Sequence, residues 1–292
     1  MELRQLRVFE AVLRHGSVTE AAVALGLAPS SVSAQIRSLE TGLGVVLFDR
    51  AARGMTPTAA GERLRPWARR LLADAEQAAT AARGAAIAVR VGALETIAAT
   101  CVPAVLRRLA ARRPDVAVEV HAQARRDVLL ADVATGALDA ILLLDSGAAL
   151  GELGFGVPAT PLAFVDVDTV PLVLVAAPGH PAAARDHLEP DDLAGERLLV
   201  NAPGCSFRMA AEALLGPAVE RVAAGGVAVM RAWAEQRLGV AVLPWFAVEE
   251  ALAAGTLVAL PLPVGELVLR LVWDAERETQ VPGLRDVLYA AC

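Results

Sequence analysis

The chain of 292 residues contains no lysine, so all 27 of its basic residues are arginine. Cysteine is also scarce. The three thiols, Cys101, Cys205 and Cys292, are odd in number and far apart in the sequence. This distribution excludes a disulfide framework, and it lacks the close ligand pairs of a structural zinc site. We therefore expect no metal site.

Long apolar runs are absent as well. No stretch free of charged residues is longer than 16 residues, and one of that length, Thr169 to Ala184, is interrupted by three prolines. A helix needs about 20 apolar residues to cross a bilayer, so we expect no membrane partner. Met1 to Arg4 is not followed by the apolar core of a secretory signal, which predicts a cytoplasmic protein.

Catalytic motifs are missing too. The four histidines, His15, His121, His180 and His187, are scattered, and none has a nucleophile or an acid at a recognisable spacing. The sequence has no Walker A loop and no G-x-G-x-x-G run, and the GELGFG segment at residues 151–156 has no strand–helix context. The sequence therefore argues against an enzyme and against a bound cofactor.

Positive charge is unevenly distributed. The formal net charge of −6 excludes a chain that is basic throughout, as a nucleic-acid coat would be. Residues 1–87 hold 11 arginines and 8 acidic residues, a net charge of +3, whereas residues 88–292 hold 16 and 25, a net charge of −9. A mildly basic first segment on an acidic body fits a protein that contacts DNA through one end.

The segment from Ser17 to Glu40 predicts two short helices joined by a tight turn. Ser17 and Glu20 fit the S-x-x-E capping box, in which each side chain accepts a hydrogen bond from the backbone N–H of the other residue. Gly26 stands where a helix end favours a left-handed residue, and Pro29 stands where the next helix can begin. Such a pair occurs in DNA-binding domains and also in plain helical hairpins of a globular core.

The second of these helices has two contrasting faces. Val32, Ile36 and Leu39 recur at the spacing of one helical face and predict its buried side. The opposite face is small, polar and cationic, so it can enter a major groove about 12 Å wide. The residues on that face are Ser30, Ser33, Ala34 and Arg37.

The flanking segments complete a winged helix-turn-helix. Upstream, apolar residues repeat at helical spacing from Leu3 to Leu13 and predict a helix that packs behind the pair. Downstream, a short hairpin around residues 51–54 predicts a wing. Arg50 and Arg53 lie near its tip, where guanidinium groups can contact phosphate.

Residues 2–61 resemble the N-terminal domain of LysR-type transcriptional regulators, through the run ELRQLRVFEAVLRHGSVTEAAVALGLAPSSVSAQIRSLETGLGVVLFDRAARGMTPTAAG. The family usually has a basic residue where this chain has Ala34, and often a polar one where it has Pro29, so the operator sequence does not carry over. The resemblance implies a sequence-specific transcription regulator. Its expected DNA-binding residues are Pro29, Ser30, Ser33, Ala34, Arg37, Arg50 and Arg53.

A long linker helix is predicted after the wing. Apolar positions spaced alternately by four and three residues form a heptad seam that can pair two chains. Alternatively, the same stripe packs against the domain to which the helix belongs. The seam consists of Leu64, Ala68, Leu71, Ala75, Ala78 and Ala82.

From residue 87 the pattern changes to alternating strands and helices. Three strands separated by two helices are predicted as far as Leu144, which indicates a parallel α/β sheet. The last of them, Ala140 to Leu144, is continuously apolar, as a strand covered on both faces requires. A second set begins near Leu172, and a final strand, Leu267 to Trp273, returns the chain to the first set.

This order resembles the two-lobed, periplasmic-binding-protein-like (type 2) effector domain of the same family, and Ala232 to Pro261 carries the match. Crossovers between the lobes are expected near Leu162–Asp168 and Val264–Leu267. The chain thus divides into a winged helix-turn-helix DNA-binding domain (1–58), a linker or dimerisation helix (59–86) and an effector-binding domain (87–292), with lobe I at 87–163 and 267–292 and lobe II at 164–266.

A ligand of such a domain binds between the lobes, at the carboxyl ends of the strands. Hydroxyl groups, helix N-termini and an arginine are predicted there, and together they suit a carboxylate. The same residues also fit ordinary helix capping, and Arg208 can pair with Glu212 one turn away. The candidate effector-binding residues are Thr96, Thr100, Asp145, Asn201, Cys205, Ser206 and Arg208.

The resemblance also implies the partners. Double-stranded DNA is expected as an interrupted palindromic operator, because two paired chains present two heads to two half-sites. The expected assembly is a homodimer or a dimer of dimers, and RNA polymerase is a further expected partner. A small anionic metabolite would change the angle between lobes or subunits and so the spacing of the heads.

Three other functions stay open. Cys205, at a helix start and near Arg208, could be a reactive thiol that makes the regulator redox-responsive. A solute-binding module would need an export signal, and an α/β enzyme would need a nucleophile paired with a base. The sequence shows neither feature, so both are less favoured than a regulator.

Overall fold

Three helices and a two-stranded hairpin form the first unit of the chain, which we call the head. In the computed structural model their bounds are α1 (Leu3–His15), α2 (Val18–Leu25), α3 (Pro29–Leu43), β1 (Phe48–Ala51) and β2 (Gly54–Pro57). The structure describes residues 1–51, 54–83, 88–123 and 125–291, with residues 50, 51, 77 and 81 described by their backbone alone.

The core of the head lies between the helices and the hairpin. Phe9 of α1 is fully buried, and its ring centre lies 5.3 Å from that of Phe48 in β1. Val32, Ile36 and Leu39 of α3 are buried, as their helical spacing predicted. The predicted winged helix-turn-helix is confirmed.

Helix α2 is capped as its sequence suggested, although only one half of the capping box forms. The Ser17 hydroxyl accepts a hydrogen bond from the backbone N–H of Glu20 at 3.4 Å. Within the described residues, the Glu20 carboxylate does not accept the return bond from the Ser17 N–H. Gly26 ends the helix in the left-handed conformation, with φ 65°, so the predicted turn is confirmed.

The linker helix, α4 (Ala59–Ala82), divides its apolar seam between two environments. Ala68 is fully buried in the core of the head, and Leu64 and Leu72 pack against the same core. Leu71 and Ala78, by contrast, are exposed outside that core. The first half of the helix therefore packs on its own head, whereas the exposed positions of the seam make no contact with that core.

The rest of the chain forms an α/β domain in which nine strands accompany seven helices among the described residues. Its first elements are β3 (Val89–Leu94), α5 (Glu95–Thr100), α6 (Val102–Arg112), β4 (Val118–Gln123), α7 (Arg126–Thr135), β5 (Ala140–Asp145) and β6 (Leu162–Ala176). The later ones are β7 (Arg197–Val200), α8 (Ser206–Leu215), β8 (Glu220–Ala223), α9 (Val227–Glu235), β9 (Ala241–Pro244), α10 (Trp245–Ala253), β10 (Val258–Ala259), β11 (Glu266–Asp274) and α11 (Leu284–Ala291).

The main sheet is mixed. Strand β3 lies between β4 and β5 and is parallel to both, which confirms the predicted parallel unit. Strand β11 is antiparallel to β5 and β6, and β9 and β10 are antiparallel to β6. The sheet is therefore parallel only in its first part, because strands that return from the second lobe enter in the opposite direction.

Strand β6 joins two lobes by itself. As far as Pro171 it pairs with β11, and from Leu172 it pairs with β9. The chain therefore changes lobes inside one continuous strand, later than the expected Leu162–Asp168. We call the part with β3, β4, β5 and β11 lobe I, and the part with β7, β8, β9 and β10 lobe II.

Strand β5 shows why its sequence is continuously apolar. Ala140, Leu142 and Leu144 face the large core that includes residues of α6 and α11, whereas Ile141 and Leu143 face the core below α7. Because successive side chains point to opposite faces, a strand between two helical layers has no solvent face to fill with polar residues.

Candidate functional site

The outer face of α3 is the candidate DNA-contacting surface. The helix begins at Pro29, whose missing N–H falls where a helix needs no donor. Ser30, Ala34 and Arg37 are exposed, and Ser33 is half-buried. This side of the helix thus presents hydroxyls, a methyl group and a guanidinium, which can contact base edges and phosphates.

Polar contacts hold α3 in place within the head. The side-chain amide of Gln5 in α1 donates a hydrogen bond to the Ser38 hydroxyl at 3.0 Å. The Glu40 carboxylate accepts hydrogen bonds from the backbone N–H groups of Leu47 at 2.8 Å and Phe48 at 3.4 Å. Glu40 therefore fixes the wing relative to α3, a role that the sequence pattern did not indicate.

The backbone of the wing contacts the turn between α1 and α2. The N–H of Met55 donates to the carbonyl of Gly16 at 2.8 Å. Gly54 has φ 128°, and a Cβ at this position would lie 2.4 Å from the Gly16 oxygen, so a side chain does not fit there. Arg53 and the side chain of Arg50 lie outside the described residues, and their contacts stay predictions.

Arg126, the first residue of α7, lies at the junction of the two lobes. Its guanidinium donates to the hydroxyl of Ser206, the first residue of α8, and that hydroxyl donates to the Leu144 carbonyl at 3.2 Å. The guanidinium carbon lies 4.3 Å from the centre of the Phe155 ring, and Nη1 lies 3.3 Å from the Met209 sulfur. Both lobes thus contribute to one cationic site at the carboxyl end of β5.

Burial leaves Arg126 incompletely satisfied. The residue is 4% exposed, and its Nε atom is buried without a hydrogen-bond partner among the described residues. Burial lowers the pKa of Arg126 below its usual value, although the nearby Cys205 and Asp145 oppose that shift. An anionic group that enters the junction would supply the missing partner and offset the cost of burying the charge.

Two predicted threonines belong to the same edge of lobe I. Thr96 and Thr100 lie on α5, which follows β3, and the Thr100 hydroxyl donates to the Thr96 carbonyl at 2.7 Å. Thr96 is half-buried and Thr100 is exposed. Because β3, β4 and β5 are parallel neighbours, their carboxyl ends place α5 and Arg126 at one edge of the sheet.

The predicted residues before and within α8 are bonded to one another. The side-chain amide of Asn201 donates to the Cys205 sulfur at 2.6 Å. Arg208 donates to the Asn201 carbonyl and to the Glu212 carboxylate, both at 3.0 Å. Arg208 therefore makes the pair with Glu212 that the sequence offered as an alternative, whereas Arg126 lies at the junction of the lobes. A direct contact of Arg208 with the effector stays a prediction.

Asp145 lies beneath this edge, with its side chain fully buried. The carboxylate accepts hydrogen bonds from the N–H groups of Gly151 at 2.7 Å and Leu153 at 3.0 Å, and it pairs with Arg270 at 2.9 Å. The Asp145 carboxylate has no exposed surface in this structure, and its contact with an effector stays a prediction. Its role is to anchor the loop that carries Phe155.

Metal ligands and membrane-spanning helices are both lacking within the described residues. These contain no group of three or more His, Cys, Asp or Glu side chains arranged to hold a metal ion. Nor do they include a helix with the length and apolar character needed to cross a bilayer.

Two family descriptions match the chain, and each covers one of the units just described. "Bacterial regulatory helix-turn-helix protein, lysR family" matches residues 3–62. "LysR substrate binding domain" matches residues 82–288, which is more than half of the chain. The chain belongs to the LysR family of bacterial transcriptional regulators. The resemblance seen in the sequence is confirmed, and this LysR-type regulator combines a DNA-binding head with an effector-binding domain.

Individual relatives agree with this assignment. The chain is 31% identical over 277 residues to an uncharacterized HTH-type transcriptional regulator, YeiE of Escherichia coli K12, covering 93% of this chain and 89% of the relative. It is 39% identical over 124 residues to the HTH-type transcriptional regulator YofA of Bacillus subtilis 168. That match covers 41% of this chain and 44%, less than half, of YofA. Both relatives are transcriptional regulators.

A solved structure shows the same fold. The full-length regulator CbnR, in complex with its target DNA, matches with a TM-score of 0.65 and 22% sequence identity. The match covers 100% of this LysR-type regulator and 99% of the CbnR chain. The winged helix-turn-helix and the two-lobed α/β domain therefore occur together in both chains.

Proposed function

We propose that this LysR-type regulator binds an interrupted palindromic operator and is controlled by a small anionic effector that binds between its lobes. The buried guanidinium of Arg126 is the observation that carries the proposal. It lies where both lobes meet, stacks on Phe155 and retains a buried N–H without a partner among the described residues. A carboxylate or a similar anion matches a guanidinium through parallel hydrogen bonds.

The remaining predicted effector residues complete the site in the proposal. Thr96, Thr100 and Ser206 supply hydroxyl donors without adding charge. Asn201 and Cys205 line the lobe II side, and Arg208 positions Asn201 through the bond to its carbonyl. Closure of the lobes on an anion would change the orientation of lobe I relative to lobe II. This would in turn change the spacing of the DNA-binding heads.

On the DNA side, the exposed face of α3 enters the major groove and the wing contacts the backbone. Base contacts specify the sequence, whereas phosphate contacts position the head. The proposed base contacts are Ser30, Ser33 and Arg37 with Pro29 and Ala34 beside them, and the proposed phosphate contacts are Arg50 and Arg53.

The proposed assembly is a homodimer or a dimer of dimers. We assign residues 1–58 to DNA binding, 59–86 to pairing of two chains through the exposed half of α4, and 87–292 to effector binding. A protein whose target is the genome acts in the bacterial cytoplasm, where RNA polymerase is its expected functional partner.

Calorimetric titration with a panel of small mono- and dicarboxylates tests the effector site. We expect Arg126→Met to abolish binding of the panel member that the wild type binds, because the cation is lost. Arg126→Lys, which keeps the charge, should retain weaker binding. Arg185→Met, at an exposed arginine of lobe II, is the matched control and should bind nearly as well as the wild type. Equal affinity in wild type and Arg126→Met would move the anion site elsewhere.

A thiol-based switch is a second candidate because the Asn201 amide donates to the Cys205 sulfur at 2.6 Å. The thiol is half-buried at the start of α8, beside the proposed effector site. Cys101 is a poor partner for it, since burial raises the pKa of Cys101. If Cys205 is the sensor, hydrogen peroxide changes the operator affinity of the wild type but not of Cys205→Ser. Unchanged wild-type affinity after peroxide would reject this candidate.

A further inference from the structure

One side chain of the linker helix joins the head to the effector domain. Nη1 of Arg69 in α4 lies 2.8 Å from the Asp132 carboxylate in α7 of lobe I. Nε of the same guanidinium lies 3.4 Å from the Glu10 carboxylate in α1 of the head. The three residues come from three different parts of the chain, so their contacts define how those parts are oriented.

The cluster is largely shielded from water. The side chains of Glu10, Arg69 and Asp132 are 14%, 27% and 7% exposed. Salt therefore screens their interactions less than it screens pairs on the surface. The charges are also unbalanced, because two carboxylates share one guanidinium, and the second oxygen of Glu10 is buried without a hydrogen-bond partner among the described residues.

Burial also shifts the pKa values of the cluster. Burial raises the pKa of Glu10 and of Asp132, and the attraction of Arg69 only partly opposes the shift. Burial would lower the pKa of Arg69, but the charges of Asp132 and Glu10 raise it overall. A buried cluster of this kind contributes little net stability compared with apolar packing, so its use lies in fixing one arrangement of the parts that it joins.

Helix α7 connects this cluster with the junction of the lobes. It begins at Arg126, which is bonded to Ser206 of lobe II, and Asp132 follows six residues later, about 9 Å along the axis. At its end, the Thr135 carbonyl accepts a hydrogen bond from Arg70 of α4 at 2.6 Å. The helix is packed on a fully buried layer, so a displacement at its first turn moves the whole helix.

We propose that Glu10, Arg69 and Asp132 form an ionic latch through which the state of the inter-lobe site sets the orientation of the DNA-binding head. The inference rests on the proposed function, because it takes the first turn of α7 as part of the effector site. An anion at Arg126 displaces α7, and Asp132 moves with it. Arg69 then keeps only one of its two partners. The latch therefore holds the head in the state without the anion and releases it in the state with the anion.

A double-mutant cycle on operator affinity tests the latch without a ligand. The probe is a duplex selected from genomic fragments by the full-length wild type, and its Kd is measured by fluorescence anisotropy. Arg126→Met perturbs the junction. Its effect on Kd is compared in the wild type, in Arg69→Met and in Arg63→Met, a matched control on α4 whose side chain is exposed.

We expect Arg126→Met to change Kd by at least about fivefold in the wild-type and Arg63→Met backgrounds, and by less than about twofold with Arg69→Met. Asp132→Asn, which keeps the shape of the side chain, should reduce the effect in the same way, and Asp127→Asn, earlier in α7, should not. Circular dichroism confirms that each variant is folded.

Additive changes in Kd across folded variants would overturn the latch while leaving DNA binding intact. If Arg69→Met does not fold, the Asp132→Asn background gives the same decision. A wild type that binds no duplex would overturn the proposed function and the latch together. The two failures are thus distinguishable, since one appears only in the variants and the other in the wild type.

Discussion

Arg270 and Asp145 form an ion pair of 2.9 Å in which neither side chain has any exposed surface. The same guanidinium lies 2.8 Å from the Asp166 carboxylate in β6 and donates to the carbonyl of Ala149 at 2.5 Å. It also lies over the Phe164 ring, 4.7 Å from its centre. Strand β11 therefore carries a buried cation that ties β5, β6 and the loop after β5 into one unit of lobe I.

Loss of this cation should strongly destabilise the fold. We expect Arg270→Met to lower the free energy of unfolding by about 3–5 kcal/mol, because the fully buried carboxylate of Asp145 would lose its partner. Arg285→Met is the control: its pair with Glu278 is largely exposed, and such pairs contribute about 0–1 kcal/mol. Urea unfolding measures both. A similar cost for the two variants would show that the buried pair is not the anchor of lobe I.

The wing should depend on a glycine. Gly54→Ala forces a Cβ against the Gly16 carbonyl at a φ that side chains rarely adopt. We expect a cost of about 1–3 kcal/mol in stability and weaker binding to all operator sequences alike, because we propose that the wing contacts the backbone of DNA. Gly156→Ala is the control, since no atom lies within 4 Å of the position that its Cβ would take and φ is not left-handed there. Urea unfolding and fluorescence anisotropy measure the two effects. If Gly54→Ala and Gly156→Ala have the same stability and the same operator affinity, this role of Gly54 is wrong.

The exposed half of α4 should pair two chains. Leu71→Asp places a charge in the proposed seam and should lower the mass measured by light scattering toward that of a single chain. Arg63→Asp, a charge change at another exposed position of the same helix, should leave the mass unchanged. If Leu71→Asp keeps the wild-type mass, the seam is not the interface.

Stability should depend on pH through Glu10 and Asp132, whose pKa values are raised in the folded state. A carboxyl with a raised pKa contributes stability that is fully present below its unfolded pKa, about 4, and is lost as pH rises through the folded pKa. The double variant Glu10→Gln, Asp132→Asn should therefore lose less stability than the wild type between about pH 4 and pH 7.

Urea unfolding as a function of pH measures this dependence. Asp127→Asn is the matched control, because the hydrogen bond from Arg125 lowers the pKa of Asp127 and its contribution has the opposite sign. Parallel pH profiles for the wild type and the double variant would show that the two carboxyls titrate alike in the folded and unfolded chains.

Periodicity in the sequence predicted the elements well. The buried face of α3 and the apolar strand β5 were found because the spacing of Val32, Ile36 and Leu39, or a run such as Ala140 to Leu144, reflects local geometry. The winged helix-turn-helix followed from such local patterns together with turn residues.

Contacts between distant residues were not predictable in the same way. Arg126 follows another arginine and resembles a surface residue, and its burial depends on Ser206, 80 residues later. Asp145 was predicted to bind the effector because it stands at the end of a strand. Its ion pair was not foreseen, because the partner, Arg270, is 125 residues away in the sequence. The sequence contains one signal of this pair, since an arginine in the middle of the apolar strand β11 needs a buried carboxylate.

Selectivity for an operator tests the central claim most directly. A duplex selected from genomic fragments and a scrambled duplex of the same composition are titrated into the full-length protein at about 0.15 M salt, near physiological ionic strength. We expect the selected duplex to bind at least about 1,000-fold more tightly than the scrambled one. Ser33→Ala should change the ranking of operator variants. Arg53→Ala should weaken binding to all of them and lower the salt slope by about one. Equal affinity for the selected and scrambled duplexes would contradict the account of a sequence-specific regulator.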